Sequence, residues 1–180
     1  MRGQVWRALV VALTLLCGLV GTAAAQDRLR VVPFAADGTL VVNVQLPDGV
    51  PPTVQEAIAS GLRTVLTYTV ELRTVVPAWV DRTITTATVT LGDHYDNLTR
   101  RHTLTRVVDG RTDTTVVTDD PAAAQAWMTR LTRLPLIRTA QLDQTRDYYV
   151  RVSADARPRG GSLLSLMRPA SGQAQFVLPR

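Results

Sequence analysis

Leu62-Arg63-Thr64-Val65-Leu66-Thr67-Tyr68-Thr69-Val70-Glu71-Leu72-Arg73 is the stretch whose reading decides the fold. Leu62, Leu66, Tyr68, Val70 and Leu72 fall on one side of an extended chain, and Arg63, Thr67, Thr69, Glu71 and Arg73 on the other. A period of two with one apolar and one polar face belongs to a strand that is half core and half solvent, the usual state of an antiparallel sheet. Upstream, Thr39 to Leu46 alternates the same way, with Leu40, Val42, Val44 and Leu46 together, after a short lead-in from Asp27 to Pro33. Pro47-Asp48-Gly49 supplies a turn, and Thr53-Val54-Gln55-Glu56 reads as a capping box opening a two-turn helix that Gly61 closes.

Downstream, Pro77 breaks the strand and Trp79 follows. Arg82 to Tyr95 then places Ala87, Val89, Leu91 and Tyr95 on one face, with Ile84 out of phase, so a bulge is expected near Thr85-Thr86. Turns at Asp96-Asn97-Leu98 and Asp109-Gly110 fold Thr99–Val108 and Arg111–Thr118 into a meander. Asp119-Asp120-Pro121 opens a second helix. Ala124, Trp127, Met128 and Leu131 recur at helical spacing, Arg130 and Arg133 suit its C-terminal end, and Pro135 is its expected stop. After an irregular link, Arg146 to Ala156 alternates with Tyr148, Val150, Val152 and Ala154 inward, and a last strand carries Phe176 and Leu178. Residues 157–172, rich in Arg, Pro, Gly and Ser, read as a mobile loop. The expected class is α+β, mainly antiparallel β, as a sandwich or a strongly curved sheet with two short helices.

The first 25 residues read as a cleaved export signal. Arg2 and Arg7 are the cationic start, Ala8 to Val20 the apolar run, and Ala23-Ala24-Ala25 the small residues of a cleavage site. A membrane anchor is the rival, but the run is shorter than the roughly 20 apolar residues of a spanning helix and contains Thr14, Cys17 and Gly18. Cleavage leaves residues 26–180 as one mainly-β domain, periplasmic or otherwise in the cell envelope. The single cysteine, Cys17, leaves with the signal, so neither a disulfide-linked partner nor a thiolate metal site is expected in the mature chain. All 20 basic residues are arginine, and the mature chain carries a formal charge of only +3 with both signs interspersed. Dispersed charge of that size argues against a nucleic-acid partner.

Several strings resemble an uncharacterised family of exported bacterial proteins, domain of unknown function 4390. They are Tyr68 to Arg73 leading to Trp79, the hairpin Tyr95-Asp96-Asn97-Leu98-Thr99-Arg100-Arg101-His102-Thr103-Leu104, and Pro121 to Leu134 followed by the strand through Tyr148. The resemblance spans about Leu40 to Ala156, and where the family usually has an aromatic this chain has His102. It implies export and a fold, and no activity. In some relatives the gene lies beside a nitrogen-regulation-type sensor kinase, which points to envelope signalling.

No nucleophile-elbow string surrounds Ser60, Ser153, Ser162, Ser165 or Ser171, and no cofactor motif occurs. The expected function is therefore a non-enzymatic envelope binding or adaptor module. Its partner is an envelope protein, such as a sensor kinase, or a membrane component, met through Trp79, Tyr95, Arg100 and Arg101. Burial tendencies alone would put Trp79 in the core. The alternative is a metal-dependent hydrolase or metal-binding protein centred on Asp93, His94 and His102. Alternation need not place His94 and His102 on one face. Tyr95 and His102 should instead be neighbouring rings across the hairpin, a contact that needs no ligand.

Overall fold

The computed structural model describes residues 29–158 and 169–178. The expected export signal, residues 1–25, lies outside them, as do residues 159–168 of the expected loop. The strands are β1 (Arg30–Ala36), β2 (Thr39–Gln45), β3 (Thr64–Thr74), β4 (Arg82–Asp96), β5 (Arg101–Val108), β6 (Arg111–Thr118), β7 (Arg130–Arg138), β8 (Tyr148–Pro158) and β9 (Ala170–Phe176). Helix α1 (Pro52–Ala59) separates β2 from β3, and α2 (Pro121–Thr129) separates β6 from β7. All pairings are antiparallel and form two sheets, ordered β1-β2-β7 and β6-β5-β4-β3-β8-β9. The class is the expected α+β sandwich with two short helices.

The deciding strand lies at the centre of the larger sheet, between β4 and β8. Leu66, Tyr68, Val70 and Leu72 are buried, joined by Thr64 and Thr74 at the two ends, while Leu62 precedes the strand and is exposed. Opposite them, the small sheet contributes Leu40, Val42, Val44, Leu131 and Leu134 to the same core. Tyr68 shows how the layers are tied: its hydroxyl donates to the carbonyl of Met128 in α2 at 2.9 Å, and burial pushes the phenol well above its usual pKa, so the donor keeps its proton. At one side the sheets meet where the Leu29 N–H donates to the Ser171 carbonyl at 3.1 Å.

Several sequence expectations are corrected. Residues 30–36 are not a lead-in but strand β1, turned into β2 by Asp37 and Gly38, both at positive φ. Thr53 is not the cap of α1, because the helix starts at Pro52 with Pro51 in the cap position; a proline in the first turn forfeits only an N–H that would be unpaired anyway. The C-terminal end is as expected: Gly61 is at φ 81°, and bonds from Gly61 N to Ile58 O and Leu62 N to Ala57 O close the helix. Helix α2 begins as expected, with the Asp120 side chain accepting from Ala122 N at 2.8 Å, but it ends at Thr129.

Residues 130–138 are strand β7, not helix and link. Val42 pairs with Leu134 and Val44 with Leu131, so three steps on β7 match two on β2. The extra residue is taken up at Arg133, φ 52°, whose N–H bonds the Asn43 side chain at 2.8 Å. A bulge thus puts residues three apart on one strand face, which mimics helical spacing. Pro135 is tolerated because β7 is the edge of its sheet. The loop expected over 157–172 is also too wide, since Arg157 and Pro158 belong to β8, and Ala170, Ser171 and Gly172 pair with it in β9. The expected bulge in β4 is present, at Ile84: Leu72 pairs with Thr85 and Arg73 with Thr83.

Candidate functional site

Two features of this scaffold are candidate sites, a pocket between the helices and the large sheet and an apolar end where β3 turns into β4. The pocket is open to solvent on one side and has a volume of about 380 Å³. Its deep part is lined by Val50, Ile58, Ala124 and Met128, all buried, and exposed Gln55 and Gln125 stand at its mouth. Three residues of the hairpin line the sheet side: Asp93, Tyr95 and His102. They share a face because Asp93 and Tyr95 are two apart on β4, and Tyr95 pairs directly with His102 on β5.

Asp93 is 2% exposed and His102 9%. The His102 Nδ1 lies 3.0 Å from both carboxylate oxygens. Burial raises the Asp93 pKa above its ordinary value, and the hydrogen bond from His102 works against that rise. The Tyr95 and His102 ring centroids are 4.7 Å apart, tilted by 41°, so the neighbouring rings expected from the hairpin are present. Their contact is not the whole role of His102, since its ring is also the partner of a buried carboxylate. Alternation already places Asp93 on the inward face with Leu91 and Tyr95; that was the overlooked signal for the pair.

His94 points to the opposite face, paired with Thr103, beside a small cavity that Arg63 and Thr105 also line. The structure brings Asp93 and His102 together and leaves His94 out. Among the described residues, no three His, Cys, Asp or Glu side chains converge as a metal site. Arg100 and Arg101 sit at the hairpin turn, both exposed, Arg100 at φ 55° and Arg101 opposite Asp96. Neither lines the pocket.

The second feature corrects the core reading of Trp79, which is 81% exposed. Val80 beside it is 74% exposed, and Val75 and Val177 are exposed at the same end, lining an open groove of about 970 Å³ with Asp81, Arg146 and Asp147. Asp81 braces this turn. Its carboxylate accepts from Val76 N at 3.3 Å and from the Tyr149 hydroxyl at 2.7 Å, and its carbonyl accepts from the Arg73 guanidinium at 3.0 Å. The Tyr149 and Val76 bonds to the carboxylate, the Tyr149 one first, with the positive charge of Arg73 nearby, hold the Asp81 carboxyl below its ordinary pKa. A Trp79 N–H to Val76 carbonyl bond closes the turn, with Ala78 at φ 60°. No local sequence pattern announces Arg73, Asp81 and Tyr149 as a unit, because their meeting depends on β3, β4 and β8 lying side by side.

A family model described as a domain of unknown function (DUF4390) matches residues 26–158. No curated protein and no solved structure matches the chain.

Proposed function

We propose that this chain, which belongs to the domain of unknown function 4390 family, is an exported, non-enzymatic adaptor of the cell envelope that docks on a protein partner through the end bearing Trp79. The observation that carries the reading is Trp79 itself, a large aromatic almost wholly in solvent on a turn braced by Asp81. Contiguous exposed apolar surface is uncommon on soluble proteins, and tryptophan is prominent among residues that anchor interfaces. Bracing matters because a side chain held ready before contact loses less entropy on binding. A protein suits this end better than an anionic bilayer, since Asp81, Asp143 and Asp147 stand among Arg73, Arg146 and Arg151 there, a mixture of signs rather than the all-basic cluster that lipid headgroups attract. The extracytoplasmic part of a sensor kinase is the first partner to try. Export rests on the three-part signal of residues 1–25.

The test compares capture from envelope extract by the parent and by Trp79→Ser. Trp79→Ser should shift stability by no more than about 0.5 kcal/mol, because the side chain packs on little, and should lose the partner. Equal capture by both proteins would sink the reading, and so would Trp79-dependent flotation with protein-free liposomes.

A further inference from the structure

The pocket floored by Asp93 and His102 is separate from the Trp79 end, and docking there makes no use of it. Its deep walls are apolar, its polar groups are few, and its volume of about 380 Å³ falls in the small-molecule range. The polar floor has a definite direction. With both oxygens of Asp93 at 3.0 Å from His102 Nδ1, the geometry suits one ring N–H shared by a carboxylate, since a protonated carboxyl would donate through a single oxygen. That arrangement commits Nδ1 and leaves Nε2 as the ring nitrogen with capacity to spare. The Tyr95 ring packs beside the imidazole, centroids 4.7 Å apart.

Nε2 presents a lone pair when the ring is neutral and an N–H when it is charged. A hydroxyl meets both cases, donating to the first and accepting from the second. A ligand carboxylate would instead add a second negative charge beside Asp93, and an ammonium would face a charged imidazole in the protonated state. We propose that this pocket binds a small, mainly apolar molecule carrying one hydroxyl, with the hydroxyl on His102 Nε2 and the apolar body against Ile58, Ala124 and Met128.

The probe pair is 4-propylphenol and propylbenzene, alike in shape and different in the hydroxyl. Calorimetric titration of the purified protein should show saturable binding of the phenol at least tenfold tighter than the hydrocarbon. The 15N resonance of His102 Nε2 should move on binding, while Nδ1 keeps its proton. Ala59→Trp and, as a second plug, Gln125→Trp lie at the exposed mouth and should abolish binding with the circular dichroism spectrum unchanged. The proposal is overturned if the two probes bind equally, if the phenol does not saturate, if the Nε2 resonance stays still, or if a folded plug variant binds as the parent does.

Discussion

Asp93 and His102 meet at 3.0 Å although they are not register partners: Asp93 lies opposite Leu104 and His102 opposite Tyr95, so the contact runs diagonally across the hairpin. The diagonal is what lets one histidine hold a buried carboxylate and touch the Tyr95 ring at once. Replacing His102 by Phe keeps an aromatic ring and strands the Asp93 carboxylate. Urea unfolding should show a loss of about 3–5 kcal/mol, the range for a buried pair robbed of one member. His102→Tyr, which ring packing alone would tolerate, should also lose stability. Combining His102→Phe with Asp93→Val should restore most of the loss. A double variant as unstable as the single one would mean that the stranded charge is not the cause.

The hairpin also sets two carboxyls against each other in acid. Hydrogen bonds led by Leu98 N, 2.8 Å from the Asp96 carboxylate, hold Asp96 below its ordinary pKa. Its contribution to stability is therefore present above pH about 3.9 and is lost as pH falls through the lowered folded value. Asp93 has the opposite sign: burial raises its pKa, so its contribution is present below pH about 3.9 and is lost as pH rises through the raised value. Asp96→Asn should accordingly flatten the acid limb of a stability profile between pH 6 and 2. A parent-minus-variant difference that does not change with pH would refute the assignment.

Ala78 occupies φ 60°, a conformation in which a Cβ is strained and glycine is not. Ala78→Gly should raise stability by about 0.5–1 kcal/mol, less any entropy the freer unfolded chain regains. The midpoint of thermal unfolding reports this. A fall in midpoint would show that the turn gains more from alanine than the backbone angle suggests.

At the junction of the two sheets, Gly172 leaves no space for a side chain, because a Cβ there would collide with the backbone carbonyl and side chain of Leu29. Gly172→Ala should cost about 1–3 kcal/mol as overpacking. It should also speed hydrogen exchange at the Leu29 amide, whose partner is the Ser171 carbonyl. By contrast, Gly110→Ala, with no atom within 4 Å of its Cβ but φ 78°, should lose only the strain of its turn. Equal protection of the Leu29 amide in parent and Gly172→Ala would count against the junction.

Much of the larger sheet was legible because its signals are local. Alternation in β3, β4 and β8 and the turn residues at Asp96-Asn97-Leu98 and Asp109-Gly110 act over a few positions, and each survives in the structure. The smaller sheet was legible only in β2. β1 carries Val31, Pro33 and Phe34 without clean alternation, and β7 hides its face behind the bulge at Arg133 and a proline that its edge position excuses. The candidate site divides the same way: Tyr95 beside His102 follows from hairpin register, whereas the partner of His102 needed the diagonal as well.

By itself the sequence determined the buried faces of β2, β3, β4 and β8 and the central hairpins, since a period of two and a turn both act between neighbours in the chain. Only the tertiary structure decided that β7 is a strand, that Trp79 lies in solvent and that Asp93 and His102 close the floor of a pocket. Each of these depends on what a segment meets from far along the chain. β7 exists because β2 offers it an edge, Trp79 is exposed because none of the described residues packs over its turn, and the pocket exists because α1 and α2, far apart in the chain, cover the same end of one hairpin.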